Sequence, residues 1–203
     1  MLSWRKSMAL SKQAKTLTTN QINRMLEHLS GTRYPTRNRC IALLSCKAGL
    51  RAKEIAELKW GMVLDPEGNL SDSINLTNDA SKGKNGGRVI PLNSSLKESL
   101  ENHKDEEGEV LPHRHIIHTE RNSHTTPNAI AHMFKAWYKR VGFDGCSSHS
   151  GRRTFITNAA KKVGFVGGSI RDIQALAGHS SIQNTQRYID QDVEAQKKLV
   201  NMI

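Results

Sequence analysis

One strand-like segment interrupts a chain that is otherwise patterned for helices, and it constrains the fold more than any other feature. Residues 73–92 have the sequence SINLTNDASKGKNGGRVIPL. The part KGKNGG is a glycine-rich turn between two β-prone runs, and Pro91 ends the second run. The preceding residues 61–70, GMVLDPEGNL, are also strand-like and contain the turn signal PEGN. The sequence therefore predicts a small antiparallel sheet near the middle of the chain.

Helical periodicity dominates on both sides of this segment. In residues 17–30 the apolar side chains share one face, and Thr18 or Thr19 is in position to cap the helix. The helix at residues 94–104 is expected to begin with a serine cap. Further helices are predicted at residues 36–49, 50–60, 126–142, 152–163, 169–178 and 192–203. The predicted fold class is α+β: mainly α-helical, with one small antiparallel hairpin or sheet.

The net charge is the first indication of function. Lysine and arginine number 30 against 19 aspartate and glutamate, which gives +11. Such an excess favours a polyanionic partner, most simply nucleic acid, although a basic protein without such a partner has the same composition. No apolar run approaches the ~20 residues of a membrane helix, and the N-terminus has no secretory signal. Three cysteines without CxxC spacing suit a reducing compartment, so we expect a cytoplasmic protein that does not bind membranes.

Three parts are expected along the 203 residues, a length that suits one domain with a short extra piece. Residues 1–17 are basic and weakly patterned, and we expect them to form a flexible arm. Residues 18–191 are expected to form the domain. Residues 192–203 are predicted to be a C-terminal helix with a short apolar edge.

Five short segments carry residues that are suited to holding and attacking a phosphate. In chain order they contain Arg51 in GLRAKE, Lys82 or Lys84 in the glycine-rich turn, His149 and Arg152 in HSGR, His179 in LAGH, and Tyr188 nine residues later. Taken singly, each has an ordinary alternative: a solvated cation, a helix-start histidine or a half-buried tyrosine. His149 and Arg152, at i and i+3, lie on one face where a helix starts. Two guanidinium groups brought together could hold one phosphate through bidentate hydrogen bonds.

In their order and spacing these segments resemble the tyrosine recombinases, or phage integrases, over roughly residues 18–200. Members of that family carry an arginine in a Gly-Leu-Arg-x-x-Glu segment and a lysine on a hairpin that ends in Val/Ile-Pro-Leu. A His-x-x-Arg pair, a Leu-Gly-His segment and a tyrosine nine residues later complete the pattern. The resemblance implies the catalytic-domain fold of the DNA breaking–rejoining enzymes for residues 18–191. With only a short arm before residue 18, the chain resembles the catalytic-domain-only recombinases of the fimbrial-switch type.

The resemblance also implies how the phosphate is held and attacked. Tyr188 is the expected nucleophile, which displaces a sugar 5′-oxygen and forms a 3′-phosphotyrosine link. Arg51 and Arg152 are expected to clamp the phosphate, whose oxygens gain negative charge in the transition state. His179 is expected to donate a hydrogen bond to a phosphate oxygen.

The same resemblance assigns proton transfer and DNA contact to the remaining residues. Lys82, with Lys84 as the alternative, is the expected general acid, and His149 is expected to assist proton transfer at the nucleophile. Glu54 is expected to support the site by pairing with a nearby cation. The residues expected to contact DNA are Lys82, Lys84, Arg88 and Arg153. No metal and no other cofactor is expected, because side chains supply the cations.

The implied function is site-specific DNA recombination or integration, with double-stranded DNA of the nucleoid as the partner. We expect a homo-oligomer, a tetramer of two dimers on DNA, with accessory DNA-bending proteins as further candidate partners. The resemblance also implies that residues 192–203 dock on a neighbouring subunit. Two other functions stay open: a DNA-binding regulator that kept the fold without strand exchange, and DNA relaxation of the type IB topoisomerase kind. A pure binder has no chemical need of Tyr188, which argues against the first of these.

A separate group of histidines suggests a metal site as an alternative use of the chain. Its members are His113, His115, His118 and His124. No cysteine and no HExxH context accompanies them. We therefore expect surface histidines rather than metal ligands.

Overall fold

The computed structural model describes residues 14–81, 87–188 and 200–201. Its α-helices are α1 (Thr19–Ser30), α2 (Pro35–Lys47), α3 (Ala52–Ala56), α4 (Ser94–Glu107), α5 (Pro127–Arg140), α6 (Ser150–Lys162), α7 (Ile170–Ala177) and α8 (Ile182–Gln186). Its strands are β1 (Ser73–Leu76) and β2 (Arg88–Pro91), and short 3-10 helices span Trp60–Met62 and Val163–Val166. The predicted class, mainly helical with a small antiparallel sheet, is confirmed. None of the described helices is long and apolar enough to cross a membrane.

Local capping chemistry sets where several helices begin. Thr18 caps α1 as predicted: its side chain accepts from the Gln21 N–H, and the Gln21 side chain accepts from the Thr18 N–H. The cap of α4 is Asn93, whose side chain accepts from the Ser95 N–H at 3.2 Å, so the predicted serine cap is wrong by one residue. Helix α6 begins at Ser150, two residues before the predicted start, which makes His149 its N-cap.

The sheet is a single antiparallel pair, β1 with β2, in which Ile74 faces Ile90 and both side chains are buried. The prediction of a further strand at residues 61–70 is wrong. Part of that segment continues a 3-10 helix, and the rest folds back on itself with only an isolated bridge between Leu64 and Leu70. The Asp65 side chain accepts from the Asn69 N–H at 2.7 Å, and such a local bond competes with strand pairing.

The core is built around α2, which packs against α1, α4 and α6. Its residues 40–46 are buried on every side, as expected for a helix that is surrounded by others. A smaller cluster joins α6 to α7 through Ile156, Ile173 and Ala177, with Tyr188 packed against it. The start of α6 and the end of α7 are therefore held at the same edge of the core.

Part of the arm expected at residues 1–17 contacts the domain instead. Leu17 is buried with 5% of its surface exposed, and its N–H donates to the Thr154 hydroxyl on α6 at 2.7 Å. The Lys15 N–H donates to the Gly145 carbonyl at 3.4 Å. Residues 15–17 thus belong to the domain, while residues 1–13 and most of the predicted C-terminal helix at 192–203 lie outside the described residues.

Candidate active site

A cavity of about 490 Å³ opens where the start of α6 meets the turn between α7 and α8. It contains five of the residues predicted for the site: His149, Arg152, Arg153, His179 and Tyr188. Ala14, Gly145, Ser147, Asn184 and Arg187 complete its lining. Residues from both ends of the domain thus share one concave, strongly basic surface.

The Arg152 guanidinium is held in place by two backbone carbonyls. Only 5% of its surface is exposed, and its Nη1 and Nη2 donate to the carbonyls of Gly49 and Ala177 at 2.6 and 2.7 Å. Burial, together with the positive charge of Arg51, lowers the pKa of Arg152 to about 10. The guanidinium therefore stays charged at neutral pH, and its direction is set by two peptide groups.

Arg51 lies beside it, at the N-cap of α3. Its Nη1 donates to the Glu54 carboxylate at 2.8 Å, and its Nη2 is 3.4 Å from the Gly178 carbonyl. About a quarter of the side chain is exposed, at 26%. Because Ala177 and Gly178 are consecutive, the carbonyls at the end of α7 hold both arginines.

Glu54 is the buried counter-charge of this arrangement, with none of its surface exposed. It pairs with two cations, Arg51 and Arg88, and its second oxygen also accepts from the Arg51 N–H at 2.8 Å. Burial by itself raises the pKa of the carboxyl, but the hydrogen bonds and charges of Arg88 and Arg51 outweigh it and hold the pKa below its usual value. Glu54 is therefore ionised and binds both guanidiniums.

The placement of Arg88 differs from the expected DNA contact. Its side chain is only 7% exposed, and its Nη1 and Nη2 donate to the two oxygens of Glu54. Its Nε donates to the Leu176 carbonyl at 3.0 Å. These donors are directed into the protein, so Arg88 ties strand β2 to α3 and α7 instead of facing a ligand.

Gly178 allows this close approach. Its backbone is left-handed, with φ +59°, and a Cβ built there would lie 2.7 Å from Nη1 of Arg88. Only glycine satisfies both conditions without strain. The glycine of LAGH is thus explained by the space that Arg88 needs.

His179 follows directly and is held by its neighbours. Its Nδ1 is 3.0 Å from the Thr185 hydroxyl, and its ring stacks on that of Tyr188 with centroids 5.7 Å apart and 22° between the planes. Burial and the charges of Arg152, Arg51 and Arg88 lower the pKa of His179 to about 4. The imidazole is therefore neutral at pH 7 and acts as a hydrogen-bond donor or acceptor.

Tyr188 ends the described part of the domain, just after α8, and is half-buried. The guanidinium carbon of Arg153 lies 5.9 Å from the centre of its ring, within the range of a cation–π contact. His149, at the N-cap of α6, is exposed on the wall of the same cavity. The site thus joins a phenol, an exposed imidazole and fixed guanidinium groups.

Lys82 and Lys84 lie outside the described residues, so their predicted roles stay predictions. Both ends of their turn are anchored. The Lys53 side chain donates to the Ser81 carbonyl at 3.0 Å, and the Asn78 side chain accepts from the Gly87 N–H at 2.8 Å.

The histidine group forms pairs rather than a cluster. His118 bonds to the Glu107 carboxylate at 2.7 Å, and the rings of His115 and His124 lie 5.6 Å apart. In the described ranges, no three or more histidine, cysteine, aspartate or glutamate side chains are placed to hold a metal ion.

Two features of the site were missed at the sequence level. The anchoring role of Arg88 depends on Glu54, which is 34 residues away. Thr185 looked like one polar residue in a short helical segment. The only signal for it in the sequence was a hydroxyl six residues after His179 and three residues before Tyr188.

Comparison with known proteins gives consistent matches. The family model described as "Phage integrase family" matches residues 15–195. The tyrosine recombinase XerA of Thermococcus onnurineus is 29% identical over 189 residues, covering 91% of this chain and 61% of the relative. The tyrosine recombinase XerC of Roseiflexus sp. is 27% identical, covering 86% and 54%. The chain therefore spans a little over half the length of these curated relatives.

Solved structures share the fold. A crystal structure of XerA recombinase superposes with a TM-score of 0.69 at 22% identity, covering 92% of this chain and 64% of that one. The Tn1549 transposon integrase, solved in complex with circular intermediate DNA, gives a TM-score of 0.73 at 19% identity, covering 93% and 67%.

Proposed function

Because this chain belongs to the phage integrase family, we propose that it is the catalytic domain of a tyrosine-type site-specific recombinase. In this proposal it cleaves and rejoins duplex DNA through a covalent 3′-phosphotyrosine intermediate. The observation that carries the proposal is one cavity shared by Tyr188, Arg152, His149 and His179, with Arg51 bonded to the Gly178 carbonyl directly before His179. A nucleophile and the groups that hold its target phosphate are thus within reach of each other.

The proposed cleavage step is a transfer of the phosphate from one oxygen to another. The Tyr188 oxygen forms a bond to phosphorus, and the bond between phosphorus and the sugar 5′-oxygen breaks. The phenol proton leaves to a base, for which exposed His149 is the candidate, and the 5′-oxygen takes a proton from Lys82 or Lys84. Attack of a 5′-hydroxyl on the phosphotyrosine reverses the step and rejoins a strand.

Side chains supply the positive charge at the phosphate in this proposal. Arg152 is held by two carbonyls before any ligand arrives, so its donors need no reorganisation during the reaction. Arg51 adds a second guanidinium, kept beside the first by Glu54. We therefore propose a metal-independent reaction, since these two groups stabilise the charge that a metal ion would otherwise bind.

Duplex DNA is the proposed partner. The net charge of +11 favours a polyanion, and the structurally similar Tn1549 integrase was solved in complex with DNA. Assembly as a tetramer of two dimers, docking through residues 192–203, accessory DNA-bending proteins and association with the nucleoid belong to the proposal as expectations. Residues 192–199 lie outside the described residues.

The test is capture of the covalent intermediate. Cells that express the protein are denatured, DNA that stays attached after stringent washing is recovered, and the fragments are sequenced. The wild type should retain DNA from one locus, and Tyr188→Phe should retain none. Tyr138→Phe is the matched control, because it removes the same atom from a buried tyrosine of the core outside the cavity.

Each other outcome has a meaning. Attached fragments scattered over the genome would favour relaxation of the topoisomerase kind. DNA retained equally by Tyr188→Phe would exclude this tyrosine as the nucleophile. If no form retains DNA, the next test is a nicked duplex that traps the intermediate. Absence of a covalent product on that substrate would favour the DNA-binding regulator.

A further inference from the structure

The hydroxyl of Thr185 is buried and contacts His179, one of the residues that line the cavity of the candidate site. The residue has no exposed surface, and its Oγ1 lies 3.0 Å from Nδ1 of His179. Within the described residues this is the one side-chain hydrogen bond of that hydroxyl. A buried hydroxyl proton needs an acceptor, because an unpaired one keeps the full cost of leaving water.

This contact decides which nitrogen of His179 carries the proton. If the Thr185 hydroxyl donates, Nδ1 is the acceptor and the ring proton must be on Nε2. If Nδ1 carried the proton instead, the hydroxyl would lose its acceptor, and Nε2 would present a lone pair to an anionic ligand. Only the first arrangement satisfies the buried hydroxyl and leaves a donor for a phosphate oxygen.

We propose that Thr185 is a positioning residue, which donates its hydroxyl proton to Nδ1 of His179 and so holds the imidazole as the Nε2–H tautomer for binding the phosphate. This inference rests on the proposed function for the identity of the ligand. It goes beyond that function by assigning the tautomer and the residue that sets it.

The surroundings keep the ring in this state. Its stacking on Tyr188 and the bond from the Gln174 side chain to the His179 carbonyl, at 3.1 Å, restrict rotation of the residue. The positive charges of Arg51, Arg88 and Arg152 disfavour an imidazolium. His179 therefore donates one neutral N–H and does not transfer protons.

Thr185→Val and Thr185→Ser separate the hydroxyl from the shape of the side chain. Valine keeps the branched shape and removes the donor, whereas serine keeps the donor. Nitrogen-15 NMR of the histidine side chains reports the tautomer, and loss of one signal in His179→Asn assigns it. We expect Nε2–H in the wild type and in Thr185→Ser, and loss of that preference in Thr185→Val. An Nδ1–H ring in the wild type, or an unchanged tautomer in Thr185→Val, would overturn the proposal.

Cleavage of a nicked duplex measures the consequence. Thr185→Val should slow cleavage about tenfold, the effect of one weakened hydrogen bond in the transition state, and Thr185→Ser should stay within about threefold. In a His179→Asn background, Thr185→Val should have no further effect. An equal loss in that background would mean a merely structural role. The NMR result needs no activity, so it stands or falls separately from the proposed function.

Discussion

Both carboxylate oxygens of Glu54 accept hydrogen bonds from the guanidinium of Arg88, at 2.9 and 3.1 Å. The same carboxylate accepts from Arg51 at 2.8 Å. One buried anion therefore links strand β2, which leads from the hairpin turn, to the arginine of GLRAKE. The hairpin that carries the expected general acid and the expected phosphate clamp share one anchor.

Glu54→Gln should be strongly destabilising. It leaves the buried Arg88 guanidinium and the partly exposed Arg51 guanidinium without their counter-charge, so we expect a loss of about 3 kcal/mol in the free energy of unfolding. Urea denaturation followed by circular dichroism measures it. Asp72→Asn is the control: that carboxylate is 96% exposed in its pair with Lys97, so its loss should change the free energy of unfolding far less. Similar losses in both variants would contradict the assigned role of Glu54.

Arg51→Lys and Arg152→Lys should both lose cleavage activity, and Arg152→Lys should also be the less stable of the two. Each removes a guanidinium from the expected phosphate clamp, so we expect cleavage of a nicked duplex to fall by about 100-fold or more. Arg152→Lys should also cost about 2 kcal/mol of stability, because the carbonyls of Gly49 and Ala177 lose a buried donor. Arg51→Lys should cost less. Full cleavage activity in either variant would remove that arginine from the proposed mechanism.

Gly178→Ala and Gly167→Ala should separate backbone strain from steric conflict. Both glycines have positive φ, +59° and +72°, so each alanine costs about 1 kcal/mol in conformational energy. A Cβ at Gly167 meets nothing within 4 Å, whereas one at Gly178 meets Arg88 at 2.7 Å. We expect Gly178→Ala to be the more destabilising in thermal unfolding and to slow cleavage as well. Equal melting temperatures would show that Arg88 moves aside freely.

Acid should weaken the fold through buried neutral histidines. His103 is 2% exposed, and its Nε2 lies 3.0 Å from the Ile116 carbonyl. Burial lowers the pKa of His103 although the Ile116 carbonyl, Glu107 and Glu106 oppose it. The unfolded chain then takes up a proton more readily, so stability falls as the pH drops below about 6.5.

The measurement is the free energy of unfolding between about pH 7 and pH 5. His103→Gln should reduce the loss in this window without removing it, because the lowered pKa of His179 acts in the same direction. His132→Gln, at an exposed position on α5, should keep the wild-type loss. A His103→Gln protein with the full pH dependence would contradict the explanation.

The sequence predicted the parts of this protein that depend on neighbours in the chain. Apolar spacing and the Thr18 cap located α1, and the glycine-rich turn located the sheet. Residues 61–70 were mistaken for a strand because of their apolar content. The Asp65 side chain accepts a local hydrogen bond from the Asn69 N–H, and this bond folds the segment into a turn. Competition between local hydrogen bonds and strand pairing cannot be judged without a partner strand.

The same limit applies to the site. The spacing of the motifs identified His149, Arg152, His179 and Tyr188, and the fold brings them to one cavity. Arg88 looked like a surface cation because its partner Glu54 comes from a distant segment. Its contact emerges only when tertiary packing closes β2 against α7.

The attachment of Leu17 to Thr154 has a consequence for protein engineering. Ala14 lines the same cavity as Tyr188, so the backbone enters the domain at the mouth of the candidate site. If duplex DNA is the substrate as proposed, an affinity tag fused directly ahead of residue 14 would crowd it, whereas a programmable DNA-binding module joined there would deliver its target beside Tyr188, the proposed nucleophile. Linker length at this point, more than the choice of module, would decide which base pairs come within reach.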